Sequence, residues 1–216
     1  MAGYESEDFA RDADVSRETC ERLELYAALL KQWNPRINLV SLDSLRDLWR
    51  RHFADSAQLR KAIPDYDGAL VDIGSGAGFP GLVLAIMGLA NVHLIEANTR
   101  KCTFLSEVAR RTNCPVTIHN IRLGDEAEPA IQLPKAEIVT ARAVSQLVNV
   151  LDIAYPLMYD RTCCIFHKGS RVDEELKIAQ ERWRFEFERI ASVSDTSGTI
   201  LRMSNIRRRD GLEVED

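Results

Sequence analysis

Leu70-Val-Asp-Ile-Gly-Ser-Gly-Ala-Gly-Phe-Pro-Gly81 decides the fold. An apolar run enters three alternating glycines, and an apolar stretch of helical spacing leaves them. Glycine has no Cβ, so Gly74, Gly76 and Gly78 permit a tight turn and a close approach of backbone to ligand. The helix behind them presents N–H groups without internal partners. Strand, glycine turn and helix in this order open a nucleotide-binding βαβ unit. Gly76-x-Gly78-x-x-Gly81 also matches the dinucleotide fingerprint, a weak signal by itself. Two neighbours tilt the reading toward S-adenosylmethionine. Asp72 sets a carboxylate at the strand's end, suited to a ligand's ammonium group and repulsive to a pyrophosphate. Phe79 and Pro80 start the helix with bulk. Glu96, ending the next strand, can accept from both ribose hydroxyls, as acids also do in NAD enzymes. An NAD-like ligand and a purely structural turn are the alternatives.

Outward from this turn, short apolar runs alternate with longer amphipathic ones. Strands are expected at 69–73, 92–96, 116–120, 138–141 and 163–167, and helices near 80–88, 100–112, 145–158 and 172–183. Such alternation specifies parallel strands joined by crossover helices. Two further strands, at 186–193 and 199–205, flank Asp195-Thr-Ser-Gly198, whose turn chemistry suggests a closing antiparallel hairpin. Ahead of the sheet the pattern is helical. Leu23, Tyr26, Leu29, Leu30 and Trp33 recur at three- and four-residue steps and form one apolar face. Asn34-Pro35 is expected to end that helix, because the residue before proline resists the α conformation. Another helical stretch follows Asp43, and Pro64 closes the region. Residues 1–63 read as an N-terminal helical extension, residues 64–216 as the cofactor-binding domain, and the tail from 207 as loose.

The bulk numbers fit one α/β domain with a small appendage: 216 residues, 45% hydrophobic, 28% charged. The formal net charge of −5 excludes a generally basic nucleic-acid binder, so any RNA contact must be local. Arg46, Arg50 and Arg51, Arg110-Arg111 and Arg207-Arg208-Arg209 are candidate patches, although a basic run is more often a solvated face. No apolar run of membrane length appears, and the acidic start lacks the features of a signal peptide, so a cytoplasmic location is expected. Cys20, Cys102, Cys114, Cys163 and Cys164 show no metal spacing and read as reduced thiols; no metal site is expected.

Six ordered stretches resemble the small-subunit ribosomal RNA methyltransferase G family, also called glucose-inhibited division protein B. They are Leu30-Lys-Gln-Trp-Asn-Pro-Arg-Ile-Asn-Leu39, Arg51-His-Phe-Ala-Asp-Ser56, the loop from Asp72 to Gly81, Lys101-Cys-Thr-Phe-Leu105, Thr140-Ala-Arg-Ala143 and His167-Lys-Gly169. The similarity runs from about residue 23 to 171. It implies a Rossmann-like class I methyltransferase fold, with a mainly parallel seven-stranded sheet, flanking helices and the N-terminal helical extension. It also implies S-adenosyl-L-methionine as cofactor and methylation of N7 of a guanine in 16S ribosomal RNA, on the 30S subunit. No membrane partner is implied, and a monomer is expected. The family's Arg-Ala-Glu after the third strand is Arg122-Leu-Gly-Asp125 here, with glycine in the place of the acid that approaches adenine. Either Asp125 reaches back, or main-chain groups of Leu123 and Gly124 hold the adenine.

The resemblance implies that Gly74, Gly76, Gly78 and Phe79 line the cofactor, that Glu96 binds ribose, and that Arg142 stands between cofactor and substrate. N7 carries a lone pair, so no general base is required and alignment should dominate the rate. Arg122, Arg142 and Lys168 follow strand ends, and are expected to hold RNA phosphate or guanine O6 as alignment groups. His52 and Asp55 lie three apart on a helical stretch, as a catalytic pair or, more simply, a buried bond tying the helices to the sheet. Asn34, Asn38 and Ser56 suit docking or caps, Trp33 suits the core, and His93 and His119 suit packing in strands. Alternative functions are a small-molecule methyltransferase with the same cofactor, and a non-enzymatic nucleotide-binding protein.

Overall fold

Each apolar run outward from the glycine turn forms a strand. A computed structural model of the chain describes residues 3–124 and 133–209. Its strands are β1 (Ala69–Ile73), β2 (Val92–Ile95), β3 (Val116–His119), β4 (Ala136–Arg142), β5 (Cys163–Lys168), β6 (Trp183–Ala191) and β7 (Thr199–Arg208). They make one sheet in the order β3-β2-β1-β4-β5-β7-β6. The first five are mutually parallel, and β7 is antiparallel to both β5 and β6. β1 is buried at every residue, as a central parallel strand covered on both faces must be. β6 alternates in exposure instead, as befits an edge with one face toward solvent.

The helices are α1 (Ser6–Asp12), α2 (Arg17–Ile37), α3 (Leu42–Arg46), α4 (Asp55–Ala57), α5 (Gly81–Ile86), α6 (Thr99–Arg111), α7 (Leu147–Ala154) and α8 (Val172–Arg182). A π-helical turn, Trp49–Ala54, and a 3-10 turn, Gln58–Lys61, flank α4. Ser16 caps α2 by accepting from the Thr19 N–H, and the Asn98 side chain accepts from Arg100 and Lys101 at the start of α6.

Pro35 does not end α2, contrary to expectation. Its ring lies on the exposed side of the last turn, where losing one N–H bond costs little, and the helix runs on to Ile37. The stop is Asn38, which takes the left-handed conformation (φ 48°) and donates to the Asn34 carbonyl. The Asn34 side chain turns the chain back by accepting from the Val40 N–H at 2.9 Å.

Two apolar clusters sandwich the sheet. One joins the N-terminal helices to α5 and α6 through Tyr26, Leu30, Phe53, Leu82 and Phe104, over Leu70 and Leu94 of the strands. The other packs α7 and α8 over Val71, Ile73, Phe166 and Trp183. Every parallel strand therefore points its carboxyl end at the same edge, where the glycine loop, Glu96, Arg142 and Lys168 emerge. Among the described residues no helix is long and apolar enough to cross a membrane.

Candidate functional site

Gly74, Gly76 and Gly78 all take positive φ, at 66°, 58° and 98°, so the loop doubles back over β1 and β2. The Gly76 N–H donates to Glu96 Oε2 and the Asn98 N–H to Oε1, both at 2.8 Å. Glu96 is thus fixed with acceptor capacity to spare, since a carboxylate has about four acceptor sites. Gly74, Gly76, Phe79, Glu96 and Arg142 line one cavity of about 270 Å³, which Leu39, Val40 and Lys101 complete.

Two residues expected at the cofactor are placed otherwise. Asp72 is fully buried beneath the loop, where its carboxylate accepts from the Thr140 hydroxyl at 2.7 Å and the Gly81 N–H at 3.3 Å. It braces the loop against β4 and does not face the cavity, so it cannot serve a ligand's ammonium group. Burial pushes its pKa up to about 6. Gly78 faces α2: a Cβ there would lie 2.5 Å from Tyr26 Oη and 3.0 Å from Leu82 Cβ. Its role is close packing, with the Tyr26 hydroxyl donating to the Ala77 carbonyl and the Tyr26 ring stacked on Phe79.

A second cavity of about 390 Å³ adjoins the first, and Ser41, Ser44, His52, Arg142 and Ala143 line both. Arg142 is thus one of five residues on the boundary, and the one that carries a fixed charge there. Its guanidinium lies 5.1 Å from the centre of the Phe79 ring and donates to Asp55 Oδ2 at 3.2 Å, to the Arg51 carbonyl at 3.1 Å and to His52 Nδ1. Arginine only donates, so His52 Nδ1 accepts and the ring is neutral. Burial, with the guanidinium beside it, lowers the His52 pKa to about 3. His52 and Asp55 are not bonded to each other; both tie the N-terminal helices to the sheet through Arg142. His167 Nε2 donates to the Asp55 main-chain carbonyl at 3.0 Å and approaches its carboxylate at 3.3 Å, while Oδ1 accepts from Gln58, Ser192 and Ser194 at 2.8 to 2.9 Å.

Lys168, expected as an alignment group for RNA, lines the second cavity with its ammonium paired to Glu175 of α8 at 2.6 Å and donating to the Ser145 carbonyl at 2.7 Å, its side chain 6% exposed. Arg122 and Gly124 are exposed, Leu123 is half-buried against the α7–α8 cluster, and none of the three lines either cavity. Asp125 lies outside the described residues. The terminal arginine runs are largely committed to surface carboxylates: Arg110 to Glu107, Arg207 to Asp160, Arg208 to Asp152. Arg46 approaches Asp43, Arg50 covers the Tyr4 ring, and Arg51 lines the second cavity. Sequence reasoning missed Tyr26 as the brace of the loop, and His167, Ser192 and Ser194 as partners of Asp55. No local pattern marks them, because each acts across the fold. Trp33 packs on Phe104, His93 stacks on His119, and all five cysteines are free thiols.

The residues present fit S-adenosylmethionine. A Cβ on Gly76 would meet nothing but the Gly74 carbonyl at 3.7 Å, so the loop leaves open the space a ligand would fill, and Glu96 stands over it. Fold and cleft together define a class I, S-adenosylmethionine-dependent methyltransferase. Solved structures of this class share the fold: the ribosomal protein L11 methylase of Lactobacillus delbrueckii subsp. bulgaricus (TM-score 0.56, 12% identity, 70% of this chain and 76% of that one), and P. horikoshii TYW2 in complex with MeSAdo (TM-score 0.54, 15% identity, 72% and 62%). The chain belongs to the rRNA small subunit methyltransferase G family, whose profile matches residues 19–202. It is similar to proteins named ribosomal RNA small subunit methyltransferase G from Rhodospirillum rubrum, at 50% identity over 94% of this chain and 98% of that one, and from Rhodospirillum centenum, at 47% over 98% and 95%.

Proposed function

We propose that the chain methylates N7 of a guanine in 16S ribosomal RNA. The observation that carries this reading is the chain's match to the family along most of its length. His52 is neutral with its Nδ1 lone pair taken by Arg142, and the Asp55 carboxylate accepts from four partners, so neither is a free base. Guanine N7 carries a free lone pair and has no proton to lose, so the transfer itself asks for no base. When bound, S-adenosylmethionine supplies a sulfonium-activated methyl group. Glu96 would hold the ribose hydroxyls, Gly74, Gly76 and Phe79 the body of the cofactor, and Leu123 with Gly124 the adenine. Arg142 would orient the base at the boundary between the cavities, where holding the reacting atoms in line is the main source of rate. Arg122 and the cleft-lining Arg51 are the cations we assign to RNA phosphate. On this reading residues 1–63 form one wall of the RNA cleft and residues 64–216 carry the cofactor. The enzyme acts as a cytoplasmic monomer on the 30S subunit.

The test is transfer of labelled methyl groups to unmodified 30S subunits and to naked 16S ribosomal RNA, with nuclease mapping. Label should fall on one guanine. Glu96→Gln should lower transfer at limiting cofactor by about tenfold, the worth of one charged hydrogen bond. Cofactor binding with no label on either RNA would overturn the substrate and leave a small molecule in its place.

A further inference from the structure

Arg142 carries a positive charge at the boundary that a methyl group must cross. S-adenosylmethionine is itself a sulfonium cation, and a guanine methylated at N7 is cationic. An uncompensated guanidinium at that boundary would oppose both. The structure cancels it. Asp55, 7% exposed, holds Arg142 at 3.2 Å and is in turn fixed from α4's neighbour Gln58, from β5 by His167, and from the β6–β7 turn by Ser192 and Ser194. We infer that Asp55 is a positioning residue that keeps Arg142 in an ion pair of no net charge, so that the guanidinium donates hydrogen bonds at the transfer site without repelling a cationic cofactor.

Three features support this. His52, the other group bonded to the guanidinium, is neutral and adds no second charge. Lys168, the next strand-end cation, is cancelled in the same way by Glu175 at 2.6 Å. Lys101 shares its cavity with the Glu96 carboxylate, and Arg51 is exposed to screening solvent.

The substitution Asp55→Asn isolates the charge. The amide oxygen can still accept from Arg142, the His167 bond to the main-chain carbonyl is untouched, and the amide nitrogen can donate to the Ser194 hydroxyl; the bond from Gln58 is given up, a neutral loss that bears on both ligands alike. The comparison is between S-adenosylmethionine and S-adenosylhomocysteine, which lacks the sulfonium charge. Calorimetric titration of each into the whole protein, without RNA, gives the ratio of their dissociation constants. That ratio should rise roughly tenfold in Asp55→Asn, the size of one added unit charge at close range in a partly buried site. It should fall in Arg142→Gln, which leaves Asp55 anionic beside the cofactor. Loss of a merely structural bond would weaken both ligands alike and leave the ratio unmoved. A ratio within about twofold of wild type in either folded variant, or one that moves the same way in both, overturns the inference. It rests on the cofactor alone, so failure of the ribosomal substrate would not touch it.

Discussion

Gly76 and Gly78 stand two residues apart in one loop and answer to different neighbours. Gly76 opens onto the cofactor cavity and meets only backbone. Gly78 lies against the Tyr26 hydroxyl and the Leu82 side chain. Gly76→Ala should cost about 1–2 kcal/mol of stability through its left-handed backbone, and should weaken S-adenosylmethionine binding by about tenfold. Gly78→Ala should cost more stability, about 2–4 kcal/mol, because strain and overpacking add. Urea unfolding and titration calorimetry on both variants check this. Equal stability losses would mean that α2 yields to the extra carbon.

At the scale of elements, α1 is seven residues long and docks through a single buried ring. Phe9 is fully buried, 5.4 Å from Trp49 and 6.4 Å from Phe53 between ring centres. Phe9→Ala should destabilise by about 3–5 kcal/mol, read by urea unfolding, and a loss below about 1 kcal/mol would show α1 to be an ornament on the fold. Strands were legible in the sequence because burial on both faces leaves short, largely apolar runs, as in β1 and the first four residues of β5. The end of α2 was not, because the cost of Pro35 depends on which side of the helix it faces, and that side is set by packing. The same limit governed the site. Glu96, Gly74 and Gly76 line the cavity that local chemistry suggested, whereas Gly78 packs on α2. The burial of Asp72 under Thr140 and the capture of Lys168 by Glu175 are long-range pairings with no local signature.

Across the whole molecule, buried titratable groups pull stability in opposite directions. His52 falls from an ordinary 6.5 to about 3, so the unfolded chain binds a proton there that the native state refuses. Its contribution is present above pH 6.5 and lost on acidification. Asp72 rises from 3.8 to about 6, so its native carboxyl keeps a proton that the unfolded chain releases. Its contribution is present below pH 3.8 and lost as pH climbs through 6. Between pH 6 and 4 the two oppose each other. Asp72→Asn should therefore lose more stability than wild type on acidification across that window, by about 1.4 kcal/mol per pH unit. Urea midpoints at pH 6, 5 and 4 measure it, and parallel profiles would show Asp72 to titrate normally. The contact of Tyr26 with the loop has a consequence of another kind. The loop that forms the ligand cradle rests on a helix that precedes the sheet in the chain, so the N-terminal helices and the loop should unfold as one cooperative unit. Free energy gained on cofactor binding is then felt in α2 as much as in the strands, and the N-terminal segment cannot swing aside as a hinged cover.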